Sequence, residues 1–106
     1  MKESTFLEMQ ENIEKNHVSP KVENVNQSRR KFPADDLNGI ILLMELMKEE
    51  EKHKIKDVIV HSGHDNIILA CEIEDLSEDI TEQDVHDLIA FGINYDESEN
   101  CFYMFV

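Results

Sequence analysis

The sequence predicts an α+β fold in which two helices, a β-hairpin, a third helix and a second hairpin follow one another. Two observations predict it. Apolar residues recur at helical spacing in three segments, and two pairs of short β-rich runs each enclose a polar turn of five residues. We therefore expect the order αα-ββ-α-ββ, with a four-stranded antiparallel sheet and the helices packed on it.

The first third of the chain reads as a short helix followed by a linker. Residues 3–16 place Phe6, Met9 and Ile13 at helical spacing. Residues 17–33 contain two prolines and a basic run at 29–31, which indicate a mobile linker. This predicts two parts: residues 1–33, an N-terminal helix and mobile linker, and residues 34–106, an acidic α+β domain.

Two further helices are predicted by their apolar stripes and end signals. The stripe in residues 36–53 is the strongest of the chain, and lysines cluster at its end, where cations suit the helix dipole. Residues 82–91 follow Thr81, with an acidic side chain three residues later in a capping-box-like position. Gly92 is placed to end that helix.

The strands are expected at residues 55–61, 67–73, 93–95 and 101–106. The last of them, CFYMFV, is apolar on both faces. Such a strand needs cover on both sides, either from helices or from a second subunit. A homodimer is therefore among the expected states.

Charge is distributed very unevenly along this chain. The formal net charge is −14, and from Asp57 to Val106 there are 13 acidic residues and no Lys or Arg. Like charges repel and destabilise a compact state. A surface that carries many acidic residues without basic ones therefore suggests that its negative potential has a function. Basic protein surfaces are the natural partners. The same sign argues against direct binding to nucleic acid or to anionic membranes.

The acidic residues that we predict to bind a partner fall in the last 35 residues. They are Glu72, Glu74, Asp75, Glu78, Asp79, Glu82, Asp84, Asp87, Asp96, Glu97 and Glu99. Helix capping explains some of them, but Asp87 lies toward the other end of its helix with no cation near it in sequence. The alternative is a fold in which Arg29, Arg30, Lys31 and Lys52 to Lys56 turn back to neutralise this surface, and the sequence leaves it open.

No pattern in the chain predicts catalysis, a cofactor or a metal. His61, His64 and Asp65 are better explained as part of a polar turn than as zinc ligands. The run from Asp96 to Asn100 begins like a calcium loop, but Cys101 stands where such a loop needs glycine. No phosphate-binding glycine loop or nucleophile motif is present, so we interpret the chain as a non-enzyme that needs no cofactor.

In its small size, acidity and lack of catalytic motifs, the chain resembles the anti-defence proteins of phages and mobile elements. The resemblance is one of class and rests on residues 57–106, chiefly on Glu72 to Asp87 and on Asp96 to Glu99. That class includes nucleic-acid mimics that inhibit restriction enzymes, CRISPR nucleases or uracil-DNA glycosylase. It implies a stoichiometric inhibitor whose carboxylates stand in for phosphates on a basic nucleic-acid-binding protein.

A second function remains open alongside this one. The chain could be a small interaction or regulatory module that binds its partner through the apolar strand Cys101 to Val106 and the N-terminal helix. Either function fits the cytoplasm, because the N-terminus does not read as a signal peptide and no apolar run approaches the ~20 residues of a membrane span.

Overall fold

The computed structural model describes residues 2–15, 20–54, 59–62, 66–69 and 71–105. The helices are α1 (Glu3–Lys15), α2 (Asp35–Leu46) and α3 (Glu82–Ala90), and the strands are β1 (Ile59–Ser62), β2 (Asn66–Leu69), β3 (Ile93–Asp96) and β4 (Cys101–Phe105). Four short 3₁₀ helices, Val22–Asn24, Gln27–Arg29, Glu49–Lys54 and Ile73–Asp75, lie between them. The α+β class and the three α-helices are confirmed. Among the described helices, none has the length and apolar character that crossing a bilayer requires.

The prediction of a four-stranded antiparallel sheet is wrong. The regular antiparallel ladder has three strands, with β4 between β2 and β3. β1 lies on the outer side of β2, and the register of their pairing shifts between Ile59 and His61. Residues 58–60 are apolar at every position and do not alternate with polar residues, so the sequence pattern does not fix a single register for this strand.

Strand β4, whose sequence is apolar on both faces, is covered to different extents on its two faces. Phe102 and Met104 are buried against the helices, whereas Cys101 and Tyr103 on the opposite face are half-buried. Phe102 also stacks edge-on with Phe6 of α1, at 5.6 Å between ring centroids. The core therefore lies between one sheet face and the helices, and α1 is held to it by an aromatic contact.

Helix α2 ends at Leu46, seven residues before its predicted end at 53. Met47 instead has an extended backbone and forms an antiparallel bridge with Leu76. Two hydrogen bonds flank this bridge: Lys48 N donates to Asp75 O at 2.8 Å, and Ser77 N donates to Leu46 O at 2.9 Å. Because Met47 and Leu76 are both buried, tertiary packing outweighs the helical propensity of the residues that follow.

Strand β2 is also shorter than predicted. It ends at Leu69, and the chain turns through the 3₁₀ helix Ile73–Asp75. Glu72 and Asp75 form a reciprocal capping box at this turn, with Glu72 N donating to Asp75 Oδ2 at 3.0 Å. Side chain–backbone hydrogen bonds of this kind compete with strand pairing and end the strand.

Residues 20–33 contact the folded domain. Val25 is buried, and Asn26 N donates to Asp87 Oδ2 of α3 at 3.3 Å. Asn38 Nδ2 donates to the backbone oxygen of Phe32 at 3.0 Å and fixes the entry into α2. The mobility of this segment in solution stays a prediction, and these contacts favour a docked segment.

Gly39 marks a close approach between α2 and the start of β3. A Cβ atom there would lie 2.9 Å from Ile93 Cγ1 and 2.9 Å from Phe91 Cβ. We expect Gly39→Ala to lower the free energy of unfolding by about 1 to 2 kcal/mol, because overpacking outweighs the better helix propensity of alanine. Urea unfolding measures this change. A gain in stability would show that α2 is not packed so tightly against β3.

Candidate partner-binding surface

Asn100 brings together two acidic segments that are far apart in sequence. Its backbone φ is 48°, in the left-handed region that asparagine tolerates better than most residues. Its Oδ1 accepts hydrogen bonds from Tyr95 OH at 2.8 Å and from Ile73 N at 3.3 Å. Its Nδ2 donates to Glu74 Oε2 at 3.1 Å. The turn at Glu74 is thereby held beside the β3–β4 hairpin.

Asp96 gives the hairpin turn a defined shape. Its Oδ1 accepts hydrogen bonds from Ser98 Oγ at 2.8 Å, from Ser98 N at 3.0 Å and from Glu99 N at 3.3 Å. The hydrogen bond from Ser98 lowers the pKa of this carboxyl, helped by the one from Glu99. Glu97 and Glu99 in the same turn are exposed. The turn therefore presents charge on a backbone that is already ordered.

Several carboxylates lie near the hydroxyl of Tyr95. Burial raises the pKa of Tyr95 most, and the charge of Glu3 and its hydrogen bond raise it further. The charges of Glu74 and Glu97 add to the effect. The contacts agree with this: Glu3 of α1 and Glu97 of the hairpin turn line the same depression as Tyr95, and Asn100 links the Tyr95 hydroxyl to Glu74 of the 3₁₀ turn.

We call this set of carboxylates the acidic hairpin end. Its members are Glu3, Glu74, Asp96, Glu97 and Glu99. It borders a shallow, widely open depression of about 770 Å³, which is lined by Glu3, Tyr95, Asp96, Glu97, Ser98 and Tyr103. The depression is too open to enclose a small ligand, but it can receive a protruding side chain, and its acids and tyrosines suit a cationic one.

The raised pKa of Tyr95 predicts a loss of stability at alkaline pH. In the unfolded chain tyrosine ionises near a pKa of about 10, whereas the folded environment keeps Tyr95 neutral to higher pH. This contribution is full below about pH 10 and is lost as pH rises through the folded pKa. We expect the urea midpoint of Tyr95→Phe to fall less than that of the wild type between pH 8 and pH 11. Tyr103→Phe is the matched control, and an equally reduced fall there would contradict the assignment to Tyr95.

Three of the eleven acidic residues predicted to bind a partner do not reach the surface. Asp75, Asp84 and Asp87 are buried, with exposed fractions of 4%, 8% and 0%. Asp75 caps its own 3₁₀ turn, and Asp84 forms a capping box with Thr81, whose backbone N donates to Asp84 Oδ2 at 2.8 Å. These carboxylates stabilise the local fold, so they are not available to a partner in this structure.

Arg29 is the cationic partner of Asp87, although no Lys or Arg lies near Asp87 in the sequence. Its guanidinium donates to Asp87 Oδ2 at 2.7 Å and to Asp84 Oδ1. Gln83 Nε2 donates to Asp87 Oδ1 at 2.7 Å, and His86 Nδ1 lies 2.8 Å from the same oxygen. Burial disfavours the charge on Arg29, but its hydrogen bonds to both aspartates outweigh this and raise its pKa. The alternative of a basic segment folding back onto the acidic surface is realised at this residue.

The other predicted residues remain on the surface. Glu72, Glu78, Asp79 and Glu82 are exposed, along the connection that leads into α3 and its first turn. Glu82 Oε1 accepts a hydrogen bond from Asn12 Nδ2 of α1 at 3.0 Å. These residues add negative charge to the surface. Glu74, in the same stretch of sequence, is linked to the hairpin turn through Asn100.

The remaining candidate chemistry gives no site. Cys71 and Cys101 form no disulfide in the described part of the chain, and burial raises the pKa of the Cys101 thiol, with the charges of Asp96 and Glu99 adding to it. The side chains of His61, His64 and Asp65 lie outside those that the structure describes. Among the described residues, no group of three His, Cys, Asp or Glu side chains is arranged to hold a metal.

Sequence reasoning missed Glu3 and Asn100 as parts of the surface. Glu3 lies one helical turn before Phe6, so it shares the face of α1 that Phe6 anchors to the aromatic core. That spacing could have placed Glu3 near the sheet. Asn100 could have been singled out as the asparagine most able to adopt the left-handed backbone at the end of a hairpin turn.

Comparison with known proteins gives no relative for this chain: no family model, curated protein or solved structure matches it. The resemblance to anti-defence proteins therefore rests on the class features of the sequence alone.

Proposed function

We propose that this chain is a non-catalytic inhibitor that binds a basic, nucleic-acid-binding surface of a partner protein. The acidic hairpin end is its contact surface, and its carboxylates stand in for phosphates. The observation that carries the proposal is the convergence of three segments of the chain: Glu3, Tyr95 and Glu97 line one depression, and Asn100 bonds both Tyr95 OH and Glu74. A restriction enzyme, a CRISPR effector or a DNA-repair glycosylase is the kind of partner that such a surface fits.

Two properties of the acidic hairpin end favour binding, namely its ordered backbone and its negative charge. The hydrogen bonds of Asn100 and Asp96 already fix the turns that carry Glu74 and Glu99, so little conformational entropy remains to be lost on binding. The hydrogen bond from Asn100 lowers the pKa of Glu74, which keeps that carboxylate ionised. Negative potential steers a basic partner toward the surface and speeds association.

The described ion pairs of the basic segment are made with acids that do not belong to the acidic hairpin end. Arg29 pairs with Asp84 and Asp87 of α3, and Arg30 Nε lies 3.4 Å from Asp35 Oδ1. Lys31 Nζ lies 2.8 Å from Glu45 Oε1. The folded-back arginines and lysine thus neutralise other acids, which supports a free role for the hairpin end.

The alternative docking surface is largely used by the core. Phe6 of α1 and Phe102 and Met104 of β4 have exposed fractions of 2%, 1% and 3%. A partner could reach them only after local unfolding. This burial argues against docking through the core-facing sides of β4 and α1, and Cys101 and Tyr103 on the other face of β4 are half-buried.

Capture from a bacterial lysate tests the proposal. The tagged chain is immobilised, bound proteins are identified by mass spectrometry, and a second sample contains duplex DNA as competitor. We expect a nucleic-acid-binding protein that DNA displaces. Capture of a protein that has no nucleic-acid-binding surface, or that DNA leaves bound, would contradict the proposal.

A further inference from the structure

An arginine of this chain occupies a pair of carboxylates on α3. Arg29 Nη1 donates to Asp87 Oδ2 at 2.7 Å, and Arg29 Nη2 donates to Asp84 Oδ1. The two aspartates lie three residues apart, on one side of the helix. A guanidinium presents its N–H groups in a fixed fork and contacts both carboxylates at once, whereas the ammonium of lysine is a single point charge. The pair therefore suits arginine better than lysine.

The segment that carries Arg29 is what buries this pair of carboxylates. We call residues 20–30 the strap. Asp87 has no exposed surface. Among the described residues, its hydrogen-bond donors belong to the strap and to α3 itself: Arg29, Asn26, Gln83 and His86. The described parts of the sheet and of α2 donate no hydrogen bond to it. Lifting the strap would therefore uncover the Asp87 carboxylate.

The strap is anchored so that it can open without unfolding the domain. After it, Lys31 N donates to Asn38 Oδ1 at 3.1 Å, and before it, α1 is held to the core by Phe6. Both neighbours stay attached when the strap lifts, which makes its release a local opening. Val25 of the strap is 5% exposed and packs in the core, so the open state costs the exposure of this side chain. The free protein is therefore mainly closed.

We propose that Asp84 and Asp87 form an arginine-binding site, which Arg29 occupies in the free protein and which an arginine of a basic partner takes over. The inference rests on the proposed function for the kind of partner, but the site itself is tested without one. Arg29 acts as an internal competitor, so binding to the site is weakened by the small fraction of open molecules. Exposed acids lie just before α3 and in its first turn, and they attract an incoming cation: Glu78, Asp79 and Glu82.

A small cation tests the site in the absence of a partner. Arg29→Ala removes the guanidinium, and methylguanidinium can then bind in its place. With a dissociation constant of roughly 5 mM, about 20 mM methylguanidinium should raise the melting temperature of Arg29→Ala by about 4 °C relative to the same concentration of methylammonium. Arg30→Ala removes an equal charge from a pair with Asp35 and should show no such difference. Equal effects of the two cations on Arg29→Ala would overturn the arginine site.

A labelled hexa-arginine peptide tests the competition by fluorescence anisotropy in about 0.15 M salt. Arg29→Ala should bind it at least about tenfold more tightly than the wild type, because the internal competitor is gone. Arg30→Ala has the same net charge and should bind within about twofold of the wild type. Arg29→Lys is the second variant, because it keeps a cation beside Asp87 and so protects the fold; it should gain at least about threefold. The competition is ruled out if the Arg29 variants bind no more tightly than Arg30→Ala.

Hydrogen exchange in the wild-type protein measures displacement of the strap directly. The Asn26 amide donates to Asp87, so its exchange should become at least about tenfold faster when hexa-arginine saturates the protein. The Lys31 amide, which donates to Asn38, is the internal control and should not change. An Asn26 amide that exchanges at the same rate in the saturated complex would overturn the proposal.

Removing the acidic hairpin end separates this inference from the proposed function. Glu74→Lys, Glu97→Lys and Glu99→Lys are combined with Arg29→Ala, and the melting comparison of methylguanidinium with methylammonium is repeated. The α3 site is kept in this variant, so the difference of about 4 °C should persist. Persistence supports the α3 site even where the hairpin end fails to bind a partner. Loss of the difference would place the cation at the hairpin end and overturn the inference.

Discussion

Replacing Arg29 by methionine is expected to lower the free energy of unfolding by about 3 kcal/mol or more. The change leaves Asp84 and Asp87 without the guanidinium that both contact, and Asp87 has no exposed surface. Breaking a buried ion pair from one side is costly, because the remaining charge stays in a poorly solvated environment. Urea unfolding at pH 7 measures the loss.

The neighbouring arginine provides the matched control. Arg30 pairs with Asp35, but both side chains are more than a third exposed, so Arg30→Met should cost less than about 1 kcal/mol. Limited trypsin digestion gives a second readout, since the wild-type bond after Arg29 should resist cleavage while the segment is docked. Rapid cleavage there, together with an unchanged stability of Arg29→Met, would restore the prediction of a mobile linker.

The second large effect concerns the acidic hairpin end. Changing Glu74, Glu97 and Glu99 together to lysine should weaken binding of the captured partner by about 100-fold or more, because three attractive contacts become repulsive. All three side chains are exposed, so the free energy of unfolding should change by less than about 1 kcal/mol. Asp96 is left unchanged because its hydrogen bonds shape the turn.

A control with the same net charge separates a site from bulk electrostatics. Glu8, Glu11 and Glu14 are exposed on α1, and changing them to lysine alters the charge by the same amount. Fluorescence anisotropy with labelled partner measures both triple variants. We expect the α1 variant to bind within about fivefold of the wild type. If both variants bind equally weakly, the net charge decides binding and the hairpin end is not the contact surface.

The elements were predictable where one local pattern decided them. Helix α3 begins after Thr81, as the capping-box pattern predicts, and Gly92 follows its end with a φ of 93°. The apolar run that begins at Cys101 forms a strand, β4, as its β-rich composition predicts. The end of α2 was not predictable, because a bridge between Met47 and Leu76 across 29 residues overrides the helical pattern.

The candidate site was harder to predict from the sequence than the fold, because it depends more on long-range contacts. Exposed glutamates of the hairpin turn could be predicted from a polar run between two strands. The burial of Asp87 could not be, because its arginine partner lies 58 residues away in a segment with linker composition. The inclusion of Glu3 likewise depends on how α1 packs, and a single sequence carries no direct signal for that packing.

The most direct test of the account is the salt dependence of partner binding, measured with and without duplex DNA. The account predicts that affinity falls steeply between about 50 and 200 mM salt, and that DNA competes for the same surface. It also predicts that the Glu74, Glu97 and Glu99 triple variant loses most of this salt dependence. An affinity that salt does not change, or a partner that binds DNA and this chain at once, would contradict it.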